Sequence, residues 1–222
     1  MGWALPPTRR SYPVRGEFVK FLRERRGWTQ DDFAKICGYS ERLIRKAEGS
    51  DSLSPEAIAD MAEALSNDGA QVFPEDLVSD PLAAAKLFIE SYDLHEQAML
   101  SHCGHVLADD VVLWCAGAEQ GIPFAGTFHG LAGLQEWLDR FFSIIKRPAR
   151  GVMKPTYSLA GNEVIAKYEE PTSVNGVPGD PLWIVNITKF ERGKIIRIEN
   201  YFDTYTGQNA MNAHGGLPDS DG

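Results

Sequence analysis

The stretch from Thr29 to Glu48 constrains the fold of this chain more than any other. Thr29 offers a hydroxyl that can cap the start of a helix, and Ser40 can cap a second helix. Gly38 can end the first helix, because glycine adopts the left-handed backbone conformation without strain. The sequence therefore predicts two short helices joined by a tight turn, with buried residues Phe33, Ala34 and Ile36 in the first helix and Leu43, Ile44 and Ala47 in the second.

The outward side of the predicted second helix carries long, mostly basic side chains, namely Glu41, Arg42, Arg45 and Lys46. A short helix braced by its neighbour can bring such side chains to base edges in the major groove of DNA. The charge distribution agrees, because residues 1–50 hold 11 Lys and Arg against 6 Asp and Glu, whereas the whole chain has a net charge of −9. Local positive charge is what phosphate neutralisation requires.

The composition argues against two classes of protein. No apolar run approaches the roughly 20 residues that cross a bilayer, and residues 1–16 lack the apolar core of a secretory signal. The three cysteines, Cys37, Cys103 and Cys115, form no CxxC spacing, and an odd number does not suit a disulfide framework. We therefore expect a cytoplasmic protein that does not bind membranes.

Helical periodicity continues around the two predicted helices. Residues 1–14, with their prolines and arginines, are expected to form a flexible arm, and residues 15–78 a helical domain of four or five helices. Ser54-Pro55 marks one further helix start, because proline suits the first turn of a helix. The loss of periodicity in residues 66–80 predicts a domain boundary near Ser79.

The segment Arg15 to Leu65 resembles the helix-turn-helix domains of the phage Cro and lambda repressors, called Xre-type. The resemblance implies binding to double-stranded DNA, although such a domain can also serve as a protein-interaction module. It implies that Gln30 and Lys46 contact phosphates, and Ser40 completes the predicted DNA-binding set. It also implies that Glu41, Arg42 and Arg45 face the major groove. The matching features are Arg23, Thr29-Gln30, Ala34, Gly38, Ser40, Ile44 and Glu48-Gly49.

The second half of the chain changes its period from helical to alternating, which predicts an α+β domain over residues 80–207. We expect a helix from Pro81 to about His102, a strand over Val111–Cys115 and a helix over Leu131–Lys146. Residues 208–222, rich in Gly, Asn and Asp, are expected to be a disordered tail. Four strands of an antiparallel sheet are expected at Gly151–Leu159, Glu163–Val174, Leu182–Phe190 and Lys194–Phe202.

This half is similar to the SnoaL-like (nuclear-transport-factor-2-like) superfamily. The supporting segments are Phe124–Gly130, which leads into a helix, and Gly193–Asp203, which closes the sheet. The resemblance implies a cone of helices and curved antiparallel sheet around a pocket. The superfamily includes polyketide cyclases, ketosteroid isomerases, limonene epoxide hydrolase-like enzymes and members without catalysis, so the fold does not decide the function.

Strand alternation predicts the contents of that pocket. In the last strand Ile196, Ile198, Asn200 and Phe202 share the drier face, which we expect to point inward. The matching faces of the neighbouring strands add polar groups to a mostly apolar lining. The alternative is an ordinary core with a few satisfied polar groups. The predicted pocket residues are Leu113, Cys115, Phe128, Trp137, Phe141, Tyr168, Glu170, Asn186, Ile198, Asn200 and Phe202.

The predicted pocket has little of the chemistry of its enzymatic relatives. Epoxide hydrolase-like members use an inward carboxylate on the last strand, where this chain has Asn200, and an Arg–Asp pair on an earlier strand. We expect no arginine to orient Glu170, which leaves it a weak catalytic candidate whose pKa burial could raise. The segment His102-Cys103-Gly104-His105 has no second cluster of metal-ligand spacing, so we expect no metal and no cofactor.

The sequence is compatible with three hypotheses about function. We favour a DNA-binding transcriptional regulator whose second domain binds a small, mostly apolar ligand and forms a homodimer. Trp183, Val185 and Ile187, on the outer face of the sheet, are the expected dimer surface. The alternatives are a SnoaL-type isomerase or cyclase that carries a DNA-binding or tethering domain, and a protein-interaction scaffold.

Overall fold

The computed structural model describes residues 10–67, 70–171 and 173–214. The chain divides into two compact units at Asp80 and Pro81, with the short segment Glu191–Gly193 grouped with the first unit. Over the described ranges, no helix combines the length and the apolar character needed to cross a membrane. Residues 1–9 of the expected arm and residues 215–222 of the expected tail lie outside these ranges.

The first unit contains helices that begin and end at the residues the sequence marks. The Thr29 side chain accepts from the Asp32 N–H, and the Asp32 carboxylate accepts from the Thr29 N–H in return. Gly38 ends the same helix with a φ of 72°, and Ser40 caps the next by accepting from the Leu43 N–H. The helices are α1 (Gly16–Arg25), α2 (Gln30–Cys37), α3 (Glu41–Glu48), α4 (Pro55–Leu65) and α5 (Pro74–Val78).

The expected burial of Ile36 is wrong, because its side chain is 50% exposed. Phe33 and Ala34 are buried and Cys37 is half-buried, so these three define the inner face of α2. At about 100° per residue, Ile36 lies roughly a quarter of a turn beyond that face. The burial of Ile44 and Ala47 agrees with the prediction for α3, and Leu43 is half-buried.

Residues 10–14 are not a free arm. Strand β1 (Tyr12–Pro13) pairs antiparallel with β2 (Ser52–Leu53), and Tyr12 and Val14 are buried in the first core. A two-residue edge strand tolerates proline, so the prolines that predicted an arm did not prevent pairing. Gly16, the first residue of α1, packs closely against the end of α3. A Cβ at this position would lie 2.3 Å from the Glu48 carbonyl oxygen, so only glycine fits here without a shift of the backbone.

The second unit is built on a six-stranded sheet that is mixed rather than wholly antiparallel. Its strands are β3 (Leu107–Cys115), β4 (Gly126–His129), β6 (Thr156–Ala160), β7 (Glu163–Glu170), β10 (Leu182–Glu191) and β11 (Lys194–Phe202). A small separate sheet holds β5 (Ile145–Lys146), β8 (Ser173–Val174) and β9 (Val177–Pro178). The spatial order of the six strands is β4-β3-β11-β10-β7-β6. The pairs β3–β4, β6–β7 and β7–β10 are antiparallel, whereas β11 runs parallel to β3.

Helices cover the inner face of this sheet. The expected long helix ends early, because α6 (Pro81–His95) is followed by Glu96 with a φ of 50°. A left-handed residue interrupts the helical ladder, and α7 (Leu100–Cys103) is therefore a separate turn. Helix α8 (Gly130–Ile144) places its apolar stripe, Leu134, Trp137, Leu138 and Phe141, in the second core as expected.

The alternation predicted for β11 holds only over its second half. The pairing with β3 shifts register between Ile195 and Arg197, and Ile195 and Ile198 are both fully buried. The expectation that Ile196 faces inward is therefore wrong, because a register irregularity changes which side chains share a face. From Ile198 onward the predicted inward face is found.

The tail is a helix over much of its described length. Helix α9 (Thr204–Ala213) begins at Asp203, whose carboxylate accepts from the backbone N–H groups of Tyr205 and Thr206. Met211 is buried in the second core. The expectation of disorder is thus wrong for residues 208–213, because one cap and one buried side chain outweigh a polar composition.

Candidate functional sites

The outward face of α3 is exposed, as a DNA reader requires. Glu41, Arg42, Arg45 and Lys46 are all solvent-exposed, and Ser40 stands at the start of the helix as its cap. Arg45 Nε lies 3.6 Å from Glu41 Oε1, an i,i+4 pair between exposed side chains. Such a pair is weak in water, so Arg45 remains able to exchange it for a contact with DNA.

A buried ion pair fixes α3 against α1. Arg23 Nε lies 2.5 Å from Glu48 Oε1, and both side chains are less than a tenth exposed. Arg23 Nη1 also donates to the Trp28 carbonyl oxygen at 2.6 Å. Gln30 Nε2 donates to Glu48 Oε2 at 2.7 Å, so this network joins three helices. It gives α3 the rigidity on which direct readout depends.

Gln30 is therefore less free than the predicted phosphate contact assumes. Its side-chain amide is engaged by Glu48, and its residue is half-buried. Asp31 and Asp32 follow in the first turn of α2, where their charge favours the helix but repels a phosphate. The basic side chains of α3 are consequently the stronger part of the predicted DNA-binding set.

The second unit contains a partly open cavity of about 230 Å³ between its sheet and its helices. A cavity of about 150 Å³ already accommodates benzene, so this one has room for one or two rings. Six of the predicted pocket residues line it: Cys115, Trp137, Phe141, Glu170, Asn200 and Phe202. The remaining wall includes six positions of the final segment, namely Thr206, Gly207, Asn209, Ala210, Met211 and His214.

Four other predicted residues lie one layer deeper. Leu113, Tyr168, Asn186 and Ile198 line a small void that shares Trp137 and Asn200 with the cavity. Phe128 lies in neither space. It belongs to the edge strand β4 and packs against α8, where the Arg140 guanidinium carbon lies 5.5 Å from the centre of its ring.

The cavity wall contains a charged network that the sequence did not predict. Tyr92 Oη donates to Glu170 Oε1 at 2.7 Å, and Arg147 Nε lies 3.3 Å from the same oxygen as an ion pair. The Arg147 guanidinium also pairs with the Asp93 carboxylate, and its side chain is fully buried. The backbone N–H of Met153 donates to the second Asp93 oxygen at 3.1 Å.

The expectation that no arginine orients Glu170 is therefore wrong. Arg147 follows β5 in an irregular segment and lies 54 residues from its partner Asp93. Strand alternation could not reveal it, because the residue is not on a strand of the sheet. The only local signal was the basic cluster Lys146, Arg147 and Arg150 after a helix that ends in apolar residues.

Burial raises the pKa of the Glu170 carboxyl, while the hydrogen bond from Tyr92 and the charge of Arg147 oppose that rise. Burial also raises the pKa values of Tyr92 and Tyr168, which keeps both phenols neutral. The pKa of the Cys115 thiol is raised to about 12 by burial, so a thiolate nucleophile is not available at neutral pH. Glu170 is the buried carboxyl of the cavity lining, and it can accept a proton when it is ionised.

Several polar atoms near the cavity are buried without a hydrogen-bond partner. They are Trp137 Nε1, Asn186 Oδ1 and Asn200 Oδ1. Most buried polar atoms in proteins are hydrogen-bonded, and an unpaired one weakens the fold unless a ligand or water completes it. Trp137 and Asn200 border both spaces, so these atoms can recognise a polar group of a molecule bound there.

The suggested metal motif has another role. His102 stacks on His95 with ring centroids 3.5 Å apart, and Cys103 is buried in the core. In residues 10–67, 70–171 and 173–214, no group of three His, Cys, Asp or Glu side chains is arranged to hold a metal ion.

The outer face of the sheet carries the expected apolar side chains. Trp183 is 55% exposed, and Val185 and Ile187 are half-buried along the same strand. The Lys167 ammonium lies 4.5 Å from the centre of the Trp183 ring, so a cation partly covers this surface.

A family model described as a helix-turn-helix domain matches residues 16–72, which confirms the domain predicted for the first unit. No curated protein matches the chain. Among solved structures, the chain is similar to TerC co-crystallised with polyporic acid (19% identity, 60% of this chain and 99% of that one, TM-score 0.49). It is also similar to an NTF2-like protein from Burkholderia pseudomallei (21% identity, 57% of this chain and 95% of that one, TM-score 0.49). A third similar structure is an LEH-like epoxide hydrolase from M. tuberculosis (15% identity, 60% of this chain and 90% of that one, TM-score 0.45). The family model thus identifies a helix-turn-helix domain in the first unit, and the second unit is an α+β domain with a mixed sheet covered by helices.

Proposed function

We propose that this chain is a DNA-binding transcriptional regulator whose second domain binds a small, mostly apolar molecule and forms a homodimer. The observation that carries the proposal is a ligand-sized cavity in the same chain as a helix-turn-helix domain with an exposed basic helix. The first domain would read an operator, and the second would report the presence of the ligand.

Arg42 and Arg45 support the DNA-reading part. Both are exposed on α3, and the buried Arg23–Glu48 pair holds that helix in place. Arginine is the side chain best suited to guanine, because its two parallel N–H groups match the O6 and N7 acceptors in the major groove.

The ligand would act through a difference in affinity. A small molecule changes operator binding only if it binds the DNA-competent and incompetent arrangements unequally. The cavity supports binding of such a molecule, since it is mostly apolar and presents a few polar atoms such as Asn200 Oδ1 to an occupant.

Replacing Arg42 and Arg45 together with alanine should weaken operator binding by roughly 30-fold to 25,000-fold, because each lost bidentate base contact removes about 1–3 kcal/mol. The operator would first be selected from random duplex DNA with the full-length protein. Binding would then be measured by fluorescence anisotropy at several salt concentrations, because phosphate contacts set the salt dependence.

The matched control removes two exposed arginines from the second domain, Arg140 and Arg150. This control variant changes the net charge by the same amount, and its operator affinity should stay within about twofold of that of the unchanged protein. If the Arg42 and Arg45 variant kept the affinity and salt dependence of the unchanged protein, the DNA-reading proposal would be wrong and an interaction scaffold would be favoured.

The dimer part rests on the apolar outer face of β10. Trp183→Glu replaces the most exposed apolar side chain of that face with a carboxylate and should convert a dimer to monomers in sedimentation velocity, since apolar contact is lost and a charge at an interface is costly. Operator affinity should fall with it, because two half-sites need two domains. Tyr205→Glu, at an exposed aromatic on α9, is the control; a dimer that survives Trp183→Glu would exclude this face.

A SnoaL-type enzyme is the second candidate, and the Tyr92–Glu170 hydrogen bond in the cavity wall favours it. A buried carboxyl with a raised pKa can accept a proton from a substrate. This candidate requires turnover that Glu170→Gln abolishes. A sensor carrying the same substitution would keep its operator binding and change only its response to ligand.

A further inference from the structure

Five aromatic rings form one side of the cavity in the second unit: Tyr92, Phe124, Trp137, Phe141 and Phe202. Trp137 and Phe141 stack with centroids 5.3 Å apart, and Phe124 meets Phe141 edge-on at 4.9 Å. Aromatic faces attract cations through the ring quadrupole, most strongly where water is excluded. They also suit a neutral apolar molecule, so the rings alone do not set the charge of the ligand.

The charges around the cavity are unbalanced. The carboxylates of Asp93 and Glu170 share one guanidinium, that of Arg147, so one negative charge is in excess when both are ionised. Glu170 and Asp180 line the cavity, and the described lining contains one histidine, His214, and no lysine or arginine. An uncompensated carboxylate in an apolar site is unfavourable unless a cation joins it.

A buried oxygen without a hydrogen-bond partner also favours a cationic occupant. Asn200 Oδ1 is buried, lines the cavity and has no hydrogen-bond partner. It can accept a hydrogen bond from an ammonium group of an occupant. Trp137 Nε1 is a buried donor without a partner, and it suits a separate oxygen acceptor on the apolar part of the same molecule.

We infer that the ligand of this cavity is an organic cation, a protonated amine carried on an apolar body of one or two rings. Its ammonium group lies between Glu170 and Asn200, and its rings lie against the aromatic wall. The inference rests on the proposed ligand-binding function of the second domain and names the chemical class of the ligand. A carboxylate ligand of the same size should bind less tightly, because Glu170 repels it.

Three probes of one size and shape test the sign of the charge: 1-naphthylmethylamine, 1-naphthalenemethanol and 1-naphthoate. Each would be titrated into the full-length protein by calorimetry at pH 7.5, where the amine is protonated. We expect the amine to bind roughly tenfold or more tightly than the alcohol, as a desolvated cation–aromatic contact of about 2 kcal/mol allows, and the naphthoate to bind most weakly.

Glu170→Gln removes the charge and keeps the shape of the side chain. It should reduce the advantage of the amine over the alcohol to less than about threefold, because the attraction between opposite charges is lost. An unchanged affinity for the alcohol in this variant would show that the cavity is intact. Glu169→Gln is the matched control, since Glu169 is the preceding residue of β7 and is exposed on the other face.

Each outcome decides the inference. Tightest binding of the alcohol or of naphthoate would overturn the cation assignment and leave the ligand-binding proposal standing. A preference for the amine that Glu170→Gln does not reduce would overturn the role of Glu170. If none of the three bound at millimolar concentration, the inference would be overturned, while operator binding would still be judged separately through Arg42 and Arg45.

Discussion

Replacing Arg147 with methionine is expected to lower the free energy of unfolding of the second domain by about 3–5 kcal/mol. The substitution keeps most of the side-chain volume but removes the charge that Asp93 and Glu170 share. Two buried carboxylates are then left close together without a counter-ion. Urea denaturation followed by circular dichroism would measure the loss.

The loss of stability caused by Arg147→Met should become smaller as the pH falls. Burial raises the pKa of Glu170 in the folded protein, so the folded state holds its proton more tightly than the unfolded state. Removing the cation strengthens that preference. Stability of the Arg147→Met variant should therefore rise as the pH falls from neutral towards the unfolded carboxyl pKa of about 4.3, and the gap to the unchanged protein should narrow.

Arg140→Met provides the comparison. Arg140 is 52% exposed and pairs with Glu136 one turn away, so its loss should lower stability by less than about 0.5 kcal/mol at any pH. Equal effects of the two substitutions would mean that the buried network does not stabilise the domain as described.

The second large effect is expected in the first domain. Arg23→Met should lower its free energy of unfolding by about 3–5 kcal/mol, because Glu48 remains buried without a cation and the Trp28 carbonyl oxygen loses its donor. Since small domains are stable by only about 5–15 kcal/mol, operator binding should weaken as well. Thermal unfolding and anisotropy on the same samples would measure both.

The double variant Arg23→Met with Glu48→Leu distinguishes the effect of a stranded Glu48 charge from the effect of lost packing. Replacing both members of a buried ion pair by apolar residues is often neutral, so the double variant should recover most of the lost stability. Gln30, which donates to Glu48, would be free to turn towards solvent. A double variant as unstable as Arg23→Met alone would point to lost packing rather than to a stranded charge.

The first domain was predictable because its signals are local. Thr29, Gly38 and Ser40 act within one helical turn, and each performs the predicted capping role. Six of the predicted pocket residues also reach the cavity, because strand and helix periodicity fix which side chains share a face. These parts of the fold need only the order of residues along a single element.

The unpredicted parts depend on distant contacts. Arg147 meets Asp93 and Glu170 from an irregular segment, so no periodicity marks it. Ile196 was misplaced because the register of β11 against β3 shifts beside it, a property of two strands at once. Helix α9 was missed because Met211 stabilises it from within a core assembled from elsewhere in the domain.

The position of α9 has a kinetic consequence. Helix α9 forms part of the cavity wall. Its contacts with the rest of the domain include the hydrogen bond from Gln208 Nε2 to the Gln120 carbonyl oxygen. A single helix with few buried side chains can unfold locally at a small fraction of the free energy needed to unfold a central sheet. Opening of about three helical turns would then widen the route to the cavity, so the residence time of a bound molecule can change without a change in the stability of the whole fold.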